Sequence, residues 1–147
     1  MKTMMKTVIM CLVVLIGVVL FSGQVHACEE QGNLPVEQIL DNYGIPEYLH
    51  HYVTEVHYDI NDSGDIADSS IEGVIVIYST EFGKKEFLRE IGHIVHWRSG
   101  YLDPQNNTQT MANFFAYEAM NTNNLYDLLD RWNMWREIFR VTNTSYN

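Results

Sequence analysis

The stretch Lys84 to Gly100, K-K-E-F-L-R-E-I-G-H-I-V-H-W-R-S-G, decides the reading of this chain. Phe87, Ile91, Ile94, Val95 and Arg98 recur at helical spacing and Gly100 stands where a C-terminal cap is wanted, so the stretch is expected to be one helix with an apolar face. On the adjacent face Glu90, His93 and Trp97 fall at i, i+3 and i+7, with Arg89, His93 and His96 beside them. An acid and two imidazoles on one side of a helix point toward chemistry. The competing reading is a solvated Glu90–His93 pair worth a few tenths of a kcal/mol.

Two histidines four residues apart on a helix can face one zinc ion, and a glutamate directly after the first can reach the metal-bound water as general base, which is the logic of H-E-x-x-H. Here that frame reads Arg89-Glu90-Ile91-Gly92-His93. The base and the second histidine are in place, but a guanidinium stands at the first ligand position. Arginine is not deprotonated in proteins, has no lone pair to offer and carries a fixed charge that repels a cation.

Outward from this helix, Asn33-Leu34-Pro35 is expected to open a short helix through about Asn42. Pro46 to Tyr52 reads as a second one after the Gly44-Ile45-Pro46 break. Glu55 to Ile60 alternates as a half-buried strand, and Gly73 to Tyr78 is apolar on both faces, as a strand covered by helices would be. Beyond a polar loop from Tyr101 to Gln109, with Thr108 as N-cap, Thr110 to about Asn121 and Leu125 to Val141 read as helices, and Val141 to Asn147 as a loose tail. The fold class expected is α+β, a small sheet packed on the central E-I-G-H helix and the two C-terminal helices.

The loop from Asp59 to Ser70 begins as a calcium loop does, with Asp59, Asn61, Ser63 and Asp65 at the first, third, fifth and seventh positions and Gly64 at the sixth. Position 12 is Ser70 where a bidentate glutamate is wanted, and the segment before the loop reads as strand. The expectation is an ordinary polar connection without calcium.

Composition bounds the partners. Lys2, Lys6, the apolar run Val8 to Phe21 and the ending Val25-His26-Ala27 have the form of a secretory signal, with cleavage expected after Ala27, and the run of 14 residues is short for a membrane span. Residues 28–147 are expected to be one secreted domain of 120 residues. No transmembrane anchor is expected in it, and no lipid anchor at Cys28, because His26 occupies a position that wants a small or apolar residue. Seven basic against nineteen acidic residues give this domain a formal charge of −12, which disfavours nucleic acid and anionic membrane as partners. Cys28 is the only cysteine in it, so no disulfide can form within it.

These residues resemble a known family. Gly-Ile-Pro at 44–46, two strands, the E-I-G-H helix and a later helix with Asn113-Phe114-Phe115-Ala116 are similar to the catalytic domain of anthrax lethal factor and the secreted Pro-Pro endopeptidases. The resemblance implies a zincin-like fold, with zinc held by the two histidines of H-E-x-G-H and by a glutamate in E-[FY]-F-A-E, and a tyrosine assisting from just upstream. On the matching positions, Glu90 is the general base and His93 the second histidine ligand. Arg89 and Asn113 stand at the first-histidine and ligand-glutamate positions, and Tyr117 replaces the outer glutamate. Tyr101 or Tyr117 could supply the phenol, and His96 and Glu118 are the weak substitutes for the missing ligands.

Three functions follow as expectations. The first is a secreted, non-catalytic relative that binds peptides or proteins in the old cleft, with little or no zinc. The second is an active zinc endopeptidase using Glu90 as base and His93 with substitute ligands. The third is an interaction protein that retains only the scaffold. On the resemblance, Arg89→His with Asn113→Glu would recreate a three-ligand site.

Overall fold

A computed structural model describes residues 34–61, 64–100 and 108–144, with side-chain surroundings known through residue 138. The segment expected to be a secretory signal, Cys28, Ser63 and Tyr101 lie outside the described residues. The elements in chain order are α1 (Val36–Asn42), a 3-10 helix (Glu47–Tyr52), β1 (Glu55–Tyr58), β2 (Ala67–Ser69), β3 (Val74–Ile77), α2 (Lys84–Arg98), α3 (Thr108–Asn121) and α4 (Leu125–Thr144). The class is α+β, as expected. From Pro35 onward the chain forms one compact unit.

The sheet order is β1-β3-β2, with β1 parallel and β2 antiparallel to β3. The apolar run at 74–77 thus becomes the central strand. It buries Ile75 and Ile77 and leaves Val74 and Val76 half-covered, so helices cover one face of this strand and not both. Strand β1 stops at Tyr58 and leaves Ile60 exposed, because β3 ends opposite at Ile77; the ladder continues only as the backbone bonds Asp59 N–H to Ile77 O and Asn61 N–H to Tyr78 O. Strand β2 was not legible as a strand: Ala67-Asp68-Ser69 is too short and too polar to show a period.

Helix α2 lies at the centre. Phe87 and Leu88 are buried, and Phe87 meets Tyr43 and Phe82 in an aromatic cluster with centroids 5.2–5.6 Å apart. Gly92 lies against α3, where an added Cβ would sit 2.9 Å from Phe115 Cβ and 3.0 Å from the Ala112 backbone. The absence of a side chain at 92 is what lets the two helices approach so closely. Beyond α3, Trp132 of α4 is buried and donates its Nε1–H to Met111 O at 3.1 Å, and Trp135 stacks on Phe114 at 4.4 Å.

Arg98 projects from the exposed end of α2 instead of joining its apolar stripe. Its Nε and Nη2 donate to Ile71 O (2.9 Å) and Glu72 O (2.7 Å), clamping the β2–β3 turn. The C-terminal helices also run beyond expectation. Helix α3 starts at Thr108, since Thr108 and Gln109 pack at the cleft described below. Helix α4 continues to Thr144, as adding residues to a formed helix costs little.

Gly92→Ala tests the α2–α3 contact. Overpacking should cost about 1–3 kcal/mol and helix propensity return about 1, so a net loss is expected. A urea midpoint unchanged or raised by the substitution would show that α3 can move aside at no cost.

Candidate functional site

One turn of α2 and one edge of the sheet build the site. Glu90 is 3% exposed, so the reading of a solvated Glu90–His93 pair is replaced by one of a buried carboxylate that needs internal donors. It has them on both sides. Arg89 Nε and Nη2 donate to Glu90 Oε1 at 3.2 and 2.9 Å, and Ser69 of β2 donates its hydroxyl to Oε2 at 2.8 Å. The period-2 geometry of β2 makes this possible: Ser69 turns toward α2 while Asp68 is exposed.

His93, one turn beyond Arg89, stacks on Trp97 with centroids 5.4 Å apart. Its Nδ1 is buried and has no hydrogen-bond partner among the described residues. Burial holds the imidazole below its ordinary pKa. The Glu90 carboxylate opposes that shift, Arg89 adds to it, and a hydrogen bond with the Gln109 side chain and the charge of Asp68 oppose it further. Arg89, Glu90, His93 and Trp97 together form one wall of a cleft of about 440 Å³. Residues 64–68 form the facing wall, and Thr108 and Gln109 close one end.

The remaining sequence candidates lie elsewhere. Asn113 and Tyr117 are exposed and are not among the residues that line the cleft; Asn113 lies one helical turn beyond Gln109, and Tyr117 one turn further. His96 is fully buried on the other side of α2, edge-on to Trp132 at 6.1 Å. Glu118 is buried between α3 and α4, accepting from Trp135 Nε1 at 3.0 Å and lying 3.6 Å from Arg131 Nη1. Neither lines the cleft with His93. Of the calcium candidates, Asn61 Nδ2 donates to Asp59 O at 2.9 Å beyond the end of β1, and Asp65 belongs to the cleft. Among the described residues no group of three or more His, Cys, Asp or Glu side chains is placed to hold a metal ion, and no helix is long and apolar enough to cross a membrane.

Sequence reasoning missed Ser69 and Gln109. A signal existed for Gln109 in the polar residues just before the apolar period of α3. None existed for Ser69, whose role depends on a register between β2 and α2. Compared with known families, curated proteins and solved structures, the chain matches none.

The His93 environment predicts a pH dependence. The neutral ring is favoured in the folded chain, whereas the unfolded chain takes up its proton near the ordinary imidazole pKa of 6.5. Between the depressed folded pKa and that value the unfolded state binds more protons, so stability falls as pH is lowered through this window and levels off below it. Urea midpoints measured from pH 7 to 5 should therefore fall more steeply for the parent than for His93→Gln. Parallel curves would show that His93 titrates alike in both states.

Proposed function

We propose that this is a secreted, zincin-like domain that binds extended peptide or protein segments in the cleft between β2 and α2 and does not cleave them. The observation that carries the reading is the engagement of Glu90: Arg89 occupies one carboxylate oxygen and Ser69 the other. A general base needs an oxygen directed at the attacking water, and both are directed at protein donors. Arg89 also supplies a permanent positive charge beside the acid, so the turn is held together without a metal.

The cleft itself supports peptide binding. Strand β2 pairs only with β3, and among the described residues its other edge carries no strand. Ala67 and Asp68 of that strand line the cleft. An extended segment added along an open edge gains main-chain hydrogen bonds, with alternate side chains entering the pocket beside it. The His93–Trp97 stack offers a flat ring surface, and Ile66 and Ala67 add apolar area to the lining.

Metal content tests the reading first. Protein purified without chelator should hold far less than one zinc per chain, and chelation should leave its melting temperature unchanged. Near-stoichiometric zinc together with peptide cleavage lost in Glu90→Gln would establish the active endopeptidase instead.

A second test concerns the lost ligands. Since Asn113 is not among the residues that line the cleft, Arg89→His with Asn113→Glu should bind zinc no more tightly than Arg89→His alone, contrary to the expectation from the resemblance. Zinc titration of the parent, both single variants and the double variant decides. Tight binding by the double variant alone would place position 113 at the site after all.

A further inference from the structure

Arg89 has hydrogen-bonding capacity beyond what Glu90 uses. A guanidinium carries five N–H donors, and the bonds to Glu90 Oε1 use one on Nε and one on Nη2. The other three have no acceptor among the described residues. The side chain is 25% exposed and lines the cleft, so these donors are within reach of a bound molecule. We infer that the cleft floor at Arg89 is a carboxylate receptor, which takes the free C-terminal carboxylate of a peptide lying along β2. The inference rests on the peptide-binding reading above and adds the chemistry of the ligand's end.

The position follows from one carboxylate. Glu90 bonds to Ser69 of β2 through Oε2 and to Arg89 through Oε1, so a single side-chain carboxylate bridges the strand to the guanidinium. A chain that pairs along β2 beside Ala67 and Asp68 lies in the cleft that Arg89 also lines, so its end is within reach of the remaining N–H groups. Planar donors on a rigid fork match a carboxylate better than a peptide carbonyl, and the charged acceptor makes the shorter and stronger bonds.

Charge selects the source of that carboxylate. The chemistry would be the same for an Asp or Glu side chain, but the chain carries a formal charge of −10, and Asp65 and Asp68 stand on the facing wall. A segment rich in acidic residues is repelled by that surface. A lone terminal carboxylate preceded by neutral or basic residues brings a single negative charge to that surface and sets it against the guanidinium, where the hydrogen bonds are charge-assisted. A basic residue shortly before the terminus would face Asp65 and Asp68.

The test uses the full-length protein and three randomised hexapeptide libraries. Two lack Asp and Glu and differ only in a free or amidated C-terminus; the third is amidated and carries one internal Asp or Glu. Peptides enriched from each are resynthesised and titrated. The free-acid peptides should bind at least about tenfold tighter than the same sequences amidated, as expected of one hydrogen-bonded charged group. Arg89→Gln combined with Glu90→Gln, which leaves no unpaired buried charge, should bind the two forms alike, and Arg89→Lys should retain part of the preference. Equal binding of acid and amide forms by the parent would overturn the carboxylate receptor and leave the peptide cleft standing. Equal binding of the third library would overturn the chain end in favour of an acidic side chain. If no library binds, the peptide-binding reading falls and this inference with it.

Discussion

A carboxylate with almost no access to water must find its donors inside the protein, and Glu90 finds them on two elements. Leaving one of its oxygens unpaired would cost on the order of 1–3 kcal/mol, and leaving the group without any donor would cost more. Ser69 and Arg89 remove that cost together, and in doing so they attach β2 to α2. A three-residue strand has little packing of its own, so its position rests on β3 on one side and on Glu90 on the other. The cleft exists because that strand is held there, with its outer edge turned away from β3.

The same helix also anchors the opposite side of the fold. Ile91, Ile94, Val95 and His96 are buried as α2 turns from the sheet toward α3, and Gly92 sets how near α3 can come. Successive residues step about 100° round a helix, so neighbours in sequence serve different purposes. His93 looks into the cleft and stacks on Trp97, while His96 is sealed against Trp132. Two histidines in one short motif therefore share no site. The division is geometric, and it assigns His96 to the core.

Much of this was legible because it is periodic. The apolar recurrence from Phe87 to Val95 identified α2, and the aromatic recurrence from Leu128 to Trp135 identified α4. The α+β class followed from two apolar strands among helices. What could not be read depends on register and not on pattern. Nothing in Ala67-Asp68-Ser69 announces a strand, and nothing local says that Ser69 will meet Glu90. Asn113 shows the converse. Its place in N-F-F-A suggested a role beside His93, and in the fold it is exposed one turn beyond Gln109, outside the residues that line the cleft.

Arg89 joins the two halves of the argument. An arginine cannot ligate a metal ion, which taken alone describes only a lack. In the folded chain it is a charge partner for a buried acid, and most of the guanidinium is withdrawn from solvent while part remains on the cleft wall. A neutral histidine at 89 could not offset the charge of Glu90 in that environment, whereas arginine does so at every pH at which the protein is folded. The residue that cannot hold a metal is thus the one that makes the buried acid tolerable. Its donors without an acceptor among the described residues belong to a side chain that lines the same cleft.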